Sequence, residues 1–418
     1  MTSSTPSRGA AMWALLSLAI GSFGIGMTEF TMMGLLPDIA AELLPQAWAA
    51  NQEDAIAQAG WLISLYALGV VVGAPTIAGS VARFPRHRVM IGLSLALTVF
   101  TALTVIAPSF GLVGASRFLA GLPHGAYFGI GALVAAEVLG PGKRAKGVAF
   151  VLTGLTLANV VGVPFGTFLG QQFGWRSAFA VVTGIFALTT VAIFFFVPRS
   201  PGQPGRTLRA ELGVFRIPQV WFALATGAIG FGGFFAVYSY VAPLVTDVAG
   251  SPTWVVPLVL VVVGVGMTVG NIIGGHLADL NLRRTLLWGM ALMAVVLAVL
   301  ALTAGWIIAL FATLLGMGLV SSALSPAIQT RLMDVSGDNQ SIAAALNHSA
   351  LNIGNSLGAF LGGIVIAAGL GYAAPAWVGV LLALAGLAIA VLAYRMQDRS
   401  RGGAAAESHR HIEPLPFD

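Results

Sequence analysis

AAMWALLSLAIGSFGIGMTEFTMMGLLP, residues 10–37, is the first apolar stretch of the chain and contains one charged residue, Glu29. A transmembrane helix needs about 20 mainly apolar residues, and this stretch is long enough. It follows Arg8 and has no small-residue cleavage site, so it is not typical of a signal peptide. We therefore predict that it forms the first of several transmembrane helices.

The composition of the whole chain supports a membrane protein. Of its 418 residues, 57% are hydrophobic and only 8% are charged, whereas soluble domains carry about 25% charged residues. So few charges cannot cover a water-exposed surface, and the surface must face lipid. The 53 glycines suit close packing of helices in a membrane. The absence of cysteine excludes disulfides and cysteine-ligated zinc.

Long apolar runs predict twelve transmembrane spans. The divisions at residues 107–109 and 303–305 are the shortest turns between two runs. The predicted spans are residues 11–36, 57–80, 88–107, 109–137, 147–170, 176–197, 218–245, 253–275, 284–304, 305–331, 341–367 and 372–394.

The basic residues alternate with these spans. Eighteen of the 20 Lys and Arg residues lie in loops or tails on one side, here called the basic side. Arg176 lies on the opposite side and Arg117 within a span. Positive loops face the cytoplasm, so both chain ends are expected there. The net charge of +5 therefore reflects membrane topology and does not indicate nucleic-acid binding.

The chain divides into two sets of six spans. The longest basic-side loop, residues 198–217, is rich in Pro, Gly and Arg and separates the two sets. We predict an N-terminal cytoplasmic segment 1–10, bundles 11–197 and 218–394, and a cytoplasmic tail 395–418. Glycines recur with period four in the fifth span (Gly162, Gly166 and Gly170) and in the eleventh (Gly354, Gly358 and Gly362). Such a face lets another helix approach closely, and its repetition favours a duplicated architecture.

Four sequence motifs resemble the drug/proton antiporter branch of the major facilitator superfamily, especially its arabinose-efflux permease and sugar-efflux group. They are GMTEFTMMGLLPD at 26–38, RFLAGLPHGAYFG at 117–129, GVPFG at 162–166 and NHSALNIGN at 347–355. The resemblance implies an all-α membrane protein with twelve transmembrane helices in two pseudo-symmetric six-helix bundles. It also implies a substrate site near the midplane between the bundles.

The resemblance assigns conformational roles to residues of the basic-side loops and of the fifth span. In the loop after the second span, Ala82 replaces the usual acidic residue and Pro85 replaces a glycine, whereas the second half keeps its acid, Asp279. The intracellular charge lock is therefore expected to rest on Asp279 and its arginines. In the fourth span, Ala120 replaces a frequent Gln. The residues assigned to conformational change are Arg83, Arg86, Arg88, Gly162, Pro164, Gly166, Asp279, Arg283 and Arg284.

Ionisable groups inside a membrane are costly, so each suggests a function. Glu29 precedes Pro37 by eight residues, which is about 12 Å of helix. Arg117 follows Pro108 by nine residues, or about 13 Å. At equal depth the two could meet if the first and fourth spans share a cavity, as the resemblance implies. We predict that Glu29 is the main proton-coupling carboxylate; the alternatives are a structural ion pair and an acid satisfied by backbone carbonyls.

Other polar and aromatic residues in the spans are candidates for the site. Arg117 and His124 are assigned to proton coupling together with Glu29, although a histidine in a span also commonly forms structural hydrogen bonds. Asparagines in spans either bond other helices or contact substrate, and Asn347 is the best substrate candidate. Tyr238 could line the cavity or belong to an interfacial belt. The predicted substrate-binding set is Glu29, Met33, Arg117, His124, Tyr127, Phe234, Tyr238, Asn347 and His348.

The function that follows is export of a small drug-like or sugar-like molecule in exchange for protons, by a monomer in a bacterial cytoplasmic membrane. The alternatives are a sugar or nucleoside facilitator or uptake carrier without proton coupling, and a non-transporting sensor on the same fold. Lipid and protons are the other expected partners, with no cofactor. No HExxH motif, ligand pair or nucleophile–base arrangement is visible in the sequence, so neither an enzyme nor a metal site is expected. No filter sequence indicates a channel.

Overall fold

The computed structural model describes residues 8–81, 84–140, 144–199, 212–336 and 340–410, and the regular structure in these ranges is helical. Within them, eleven helices are long and apolar enough to cross a membrane. Arg83 and most of the linker 198–217 lie outside the described residues, as do parts of both predicted terminal segments.

The membrane-crossing helices follow the predicted spans in number and order. The first bundle contains α1 (Arg8–Gly34), α2 (Trp61–Val81), α3 (Arg86–Ile106), α4 (Phe110–Leu139), α5 (Arg144–Leu157 continued by Val163–Phe173) and α6 (Trp175–Phe196). The second contains α7 (Pro218–Tyr238), α8 (255–280), α9 (282–303), α10 (Ile307–Val335), α11 (Gln340–Val365) and α12 (Ala374–Arg410).

Helices α8 and α9 form one continuous run, Val255–Thr303, which is interrupted at Asn281. A straight helix of 49 residues would be about 74 Å long, more than twice the roughly 30 Å hydrocarbon core. The backbone of Asn281 is non-helical, with φ −160° and ψ 90°. Its side chain accepts a hydrogen bond from the backbone N–H of Arg284 at 3.0 Å, which caps α9. The eleven apolar helices therefore make twelve crossings, as the sequence predicts.

Some helix bounds differ from the prediction. The stretch before α2 is already helical over Gln52–Ala59, and two further short helices, Leu36–Leu43 and Pro45–Ala50, connect it to α1. The last helix continues beyond residue 394 to Arg410. Within α5, residues Ala158–Gly162 form a π-helical turn. Pro164 has no N–H to donate to the carbonyl of Val160, which accounts for the altered hydrogen-bond pattern there.

The period-four glycines pack the same pair of helices in both bundles. A Cβ at Gly162 would lie 2.7 Å from Met27 of α1, and one at Gly166 would lie 3.0 Å from Thr31. In the second bundle, a Cβ at Gly354 would lie 2.7 Å from the carbonyl of Ala228 in α7. The fifth helix therefore packs on the first, and the eleventh packs on the seventh. This repeated pairing is the internal symmetry of the fold.

The ion pairs observed on the basic side differ from those of the expected charge lock. Arg86 pairs with Glu137 of α4, while Arg283 pairs with Asp398 of α12 at 2.9 Å. Among the described residues Asp279 has no ion-pair partner within 4.0 Å. Asp279 precedes the bend at Asn281 and Arg283 follows it, so the two lie on different helices. In this conformation the predicted pairing of Asp279 with its arginines is not formed.

Candidate functional site

A cavity of about 240 Å³ lies between the two bundles. It is lined from the first bundle by α1, α4 and α5, and from the second by α7, α8, α10 and α11. The lining extends from Glu29 to Val151 and Gln329. The last two residues lie about two helical turns from the basic-side ends of α5 and α10. The cavity therefore extends toward the basic side.

On the opposite side the two bundles are in contact. The Ser64 hydroxyl of α2 donates to the Ser356 carbonyl of α11 at 3.2 Å. Trp61 meets Phe360 edge to face, with ring centroids 5.0 Å apart. The Gln171 amide of α5 donates to the carbonyl of Thr253, just before α8, at 3.1 Å. These contacts close the end of the cavity that lies away from the basic side.

Glu29 lines the cavity and is only 7% exposed. Its Oε1 accepts a hydrogen bond from Nδ2 of Asn355 at 3.1 Å. Glu29 lies on α1 and Asn355 on α11, so this bond joins the two bundles. The sequence places both residues within spans, but no sequence signal connects them.

Arg117 lies near Glu29 but does not form the direct pair considered from the sequence. One guanidinium nitrogen donates to the Thr28 hydroxyl at 2.9 Å. The guanidinium carbon lies 4.1 Å from the ring centre of Tyr66 and 5.5 Å from that of Phe179. No Arg117–Glu29 contact within 4.0 Å is formed between these described residues. Arg117 therefore provides a buried positive charge behind the cavity wall.

A hydrogen bond and two ring contacts connect Tyr66 to the second bundle. The Tyr66 hydroxyl lies 3.0 Å from Nδ1 of His124. The His124 ring meets Phe128 edge to face at 5.3 Å, and Phe128 stacks on His348 of α11 at 4.9 Å. Both histidines line the cavity. This row of four side chains holds the two histidine rings in place and leads from the cavity to the buried Tyr66 hydroxyl.

The predicted substrate-binding residues separate into two groups. Glu29, His124, Phe234, Asn347 and His348 all line the cavity. Among the described residues, the cavity lining does not include the other four, Met33, Arg117, Tyr127 and Tyr238.

Packing explains where three of these four side chains lie. Met33 is fully buried in the core. The Tyr127 hydroxyl donates to the Leu18 carbonyl at 3.0 Å. Tyr238 stacks on Phe234 at 4.9 Å, behind the cavity wall.

Sequence reasoning missed five polar residues of the second bundle. Thr268 and Asn271 on α8 and Ser322, Ser325 and Gln329 on α10 all line the cavity. The spacing of the last three, at i, i+3 and i+7, places them on one helix face. A polar stripe in an otherwise apolar span was the available signal.

Comparison with known proteins was consistent with this architecture. The sequence matches the family described as the Major Facilitator Superfamily over residues 18–280 and 255–416. It is 37% identical to the inner membrane transport protein YdhP of Escherichia coli K12, covering 92% of this chain and 97% of YdhP. It is 32% identical to the putative transporter AraJ of the same strain, covering 90% of this chain and 94% of AraJ.

Two further similarities are more distant. A chloramphenicol resistance protein of Streptomyces lividans is 29% identical, with 90% of this chain and 95% of that protein covered. The crystal structure of a D-xylose-proton symporter aligns with a TM-score of 0.74 over 92% of this chain and 97% of that chain, at 16% identity. At that identity the structural match supports the fold alone.

Proposed function

The chain belongs to the Major Facilitator Superfamily and is a multi-pass membrane transporter, and we propose that it exports a small drug-like or sugar-like molecule in exchange for protons. One observation carries this proposal: the buried Glu29 carboxyl lines the central cavity and is bonded to the opposite bundle. A similar protein described as a chloramphenicol resistance protein makes export the favoured direction. Protons, the small molecule and lipid are its proposed partners, with no enzymatic step.

Glu29 is suited to exchange a proton because its ionised and protonated forms are stabilised by different surroundings. The ionised carboxylate is costly in a nonpolar interior unless it is bonded or compensated. Asn355 donates one hydrogen bond to it, and the charge of Arg117 lies nearby. Water entering the cavity can deliver or remove the proton. The group can therefore titrate in place, without a large movement of its own.

The bond between Glu29 and Asn355 also explains how exchange is kept coupled. A hydrogen bond to an ionised carboxylate is stronger than one to a neutral acid. The empty, ionised carrier is therefore held with its bundles together at Glu29. Protonation or a bound substrate weakens this bond and allows the bundles to rock about the midplane site. Proton and substrate then cross alternately, because each must weaken the Glu29–Asn355 bond before the bundles can move.

The proposed function is tested by Glu29→Gln in proteoliposomes. A thermal-shift panel that includes chloramphenicol selects a ligand, and its transport is then measured with and without a pH gradient. We expect Glu29→Gln to transport at the same rate with or without the gradient, because the amide cannot exchange a proton. The matched control is Glu53→Gln, which changes a partly exposed acid outside the cavity lining and should retain the gradient effect. Full gradient-driven transport by Glu29→Gln would falsify the proposal.

The proposed setting is a bacterial cytoplasmic membrane, with the basic side and both chain ends in the cytoplasm. Two points support it: the similarity to an inner membrane transport protein and the excess of Lys and Arg on one side. In this orientation the cavity extends toward the cytoplasm, where an exporter binds its substrate. The transporter is proposed to act as a monomer.

A further inference from the structure

The polar groups of the cavity are divided unequally between the two bundles. In the first bundle, three of the four polar lining residues already have partners: Glu29 bonds Asn355, His124 bonds Tyr66, and the Thr156 hydroxyl donates to the Leu152 carbonyl at 3.4 Å. Their hydrogen-bonding capacity is therefore largely used within the protein.

The second bundle presents the opposite situation. Eight of its polar side chains line the cavity. Thr268 and Asn352 donate to carbonyls of their own helices, and His348 stacks on Phe128. The other five form no side-chain hydrogen bond to another described residue. These side chains, here called the amide wall, are Asn271, Ser322, Ser325, Gln329 and Asn347. Ser322 and Asn347 are only 6% and 2% exposed, and the carboxamide oxygen of Asn347 has no partner. Buried polar groups without partners cost about 1–3 kcal/mol each, so a ligand that pairs with them gains affinity.

The amide wall contains donors and acceptors but no permanently charged residue. Each carboxamide and hydroxyl can both give and accept a hydrogen bond, which matches the hydroxyl groups of a neutral molecule. A charged group placed there would remain uncompensated, since Glu29 is the only Asp, Glu, Lys or Arg among the described lining residues. The wall therefore selects a neutral, hydrogen-bonding edge.

Aromatic side chains cover the part of the cavity near Glu29. Five rings line the cavity, Phe30, Phe128, Phe231, Phe234 and Phe235. Phe30 follows Glu29 in α1 and lies 6.3 Å from Phe235 between ring centroids. Phe231 and Phe234 lie 5.6 Å and 5.1 Å from Phe235 between ring centroids, so they form one continuous surface. Such a surface accommodates a flat apolar group by stacking or edge contacts. The volume of about 240 Å³ is smaller than the roughly 300–1,000 Å³ of typical ligand pockets, so the ligand is small.

From these observations we propose that the substrate is a small neutral amphipathic molecule, with several hydroxyl or amide groups on one edge and one flat aromatic or apolar group. The hydroxyl-bearing edge binds the amide wall, and the flat group rests on the phenylalanines. The inference rests on the proposed function only in taking this cavity as the substrate site. The bound molecule thus has a defined orientation in the cavity as well as a defined chemical class.

The test uses four related probes and the purified full chain. Phenyl β-D-glucopyranoside carries both features, methyl β-D-glucopyranoside lacks the ring, 2-phenoxytetrahydropyran lacks the hydroxyls, and phenyl β-D-glucuronide adds a charge. Binding is measured by calorimetry. We expect the phenyl glucoside to bind and the other three to bind at least about tenfold more weakly, the equivalent of one net hydrogen bond or one ring contact.

Variants of the amide wall test the orientation. Asn271→Leu and Gln329→Leu should each weaken binding of the phenyl glucoside about tenfold. They should leave binding of 2-phenoxytetrahydropyran unchanged, which an unfolded variant could not do. The matched control is Gln172→Leu, an exposed amide outside the cavity lining, which should bind all four probes as the parent does.

The outcomes separate this inference from the proposed function. If the phenyl glucoside does not bind, or binds no better than its hydroxyl-free analogue, the inference is wrong even when Glu29-dependent export of a ligand without hydroxyl or amide groups is observed. If the probes are discriminated as expected while Glu29→Gln keeps gradient-driven transport, the substrate class stands and proton exchange fails.

Discussion

At the scale of single residues, the Glu29–Asn355 bond is the contact with the largest consequence. It joins positions 326 residues apart and crosses from one bundle to the other. Asn355 is 1% exposed and its Oδ1 has no partner. It therefore has little role apart from holding Glu29, which makes it a positioning residue for the proposed exchange.

Replacing Asn355 by leucine should uncouple the carrier. Hydrogen bonds to charged groups contribute roughly 1.5–3 kcal/mol, so without this bond the empty carrier should change conformation about tenfold faster or more. An imposed pH gradient across Asn355→Leu proteoliposomes should then decay faster in the absence of substrate, as measured with a pH-sensitive dye. Ser356→Ala is the control, because only the backbone carbonyl of Ser356 bonds the other bundle. An unchanged decay rate for Asn355→Leu would contradict the proposed restraint.

Tyr66 has two roles that substitution can separate. Tyr66→Phe removes the hydroxyl bonded to His124 but keeps the ring beneath Arg117. Because a buried partner is left unpaired, we expect a loss of about 1–2 kcal/mol in stability. Tyr66→Leu should cost more, since it also removes the ring contact. Thermal unfolding in detergent measures both; equal melting temperatures for the two variants would exclude a contribution from the Arg117–ring contact.

At the scale of helices, close backbone approach recurs at equivalent places in the two bundles. In the first, a Cβ on Gly121 of α4 would collide with the Tyr66 carbonyl of α2 and lie 2.9 Å from the Val70 nitrogen. In the second, a Cβ on Gly270 of α8 would collide with the Leu319 carbonyl of α10. The second and fourth helices of each bundle thus touch through their backbones. A residue larger than glycine does not fit at these contacts, because no rotamer change can remove a clash with backbone atoms.

Gly121→Ala should therefore destabilise the protein by about 1–3 kcal/mol, as overpacking does elsewhere. Gly184→Ala on α6 is the matched control, since nothing lies within 4 Å of its added Cβ. Thermal unfolding of the two variants in the same detergent measures the difference. A melting temperature for Gly121→Ala equal to that of Gly184→Ala would mean that α2 and α4 can separate without cost.

At the scale of the whole molecule, the proposed transport cycle requires the bundles to separate where they now touch. Because the chain has no cysteine, a Ser64→Cys/Ser356→Cys pair can be crosslinked selectively. An oxidant should abolish transport and a reductant should restore it, since the bond prevents rocking. A Thr104→Cys/Ser116→Cys pair joins α3 to α4 within one bundle, where the hydroxyl oxygens are 2.8 Å apart. Crosslinking that pair should leave transport intact; transport that survives the first crosslink would rule out this movement.

The proposed orientation can be checked on intact cells. Single cysteines at Ser3 and Ser408 place one label site near each end of the chain. A membrane-impermeant maleimide should label neither until the cells are opened, because positive loops and both termini are expected in the cytoplasm. A cysteine at Gln172, at the opposite end of α5, is the positive control. Labelling of only one terminus in intact cells would overturn the twelve-span topology.

The sequence alone was sufficient for the class of fold and for much of its organisation. Hydropathy and the distribution of basic residues predict twelve spans in two sets, and period-four glycines predict a close helix contact in each. The cost of burying charge singles out Glu29 and Arg117. These features depend on neighbours along the chain, or on the difference between lipid and water, and both can be read from local composition.

Only the tertiary structure decided which side chains meet. Depth and helical face can be computed for each span separately, but the neighbours of a span depend on how all twelve pack. Arg117 consequently bonds Thr28, while Glu29 bonds Asn355 from the other bundle. The bend at Asn281 likewise separates Asp279 from Arg283. The polar stripe on α10 becomes a cavity wall because helix packing, and not the sequence of α10, determines which face points inward.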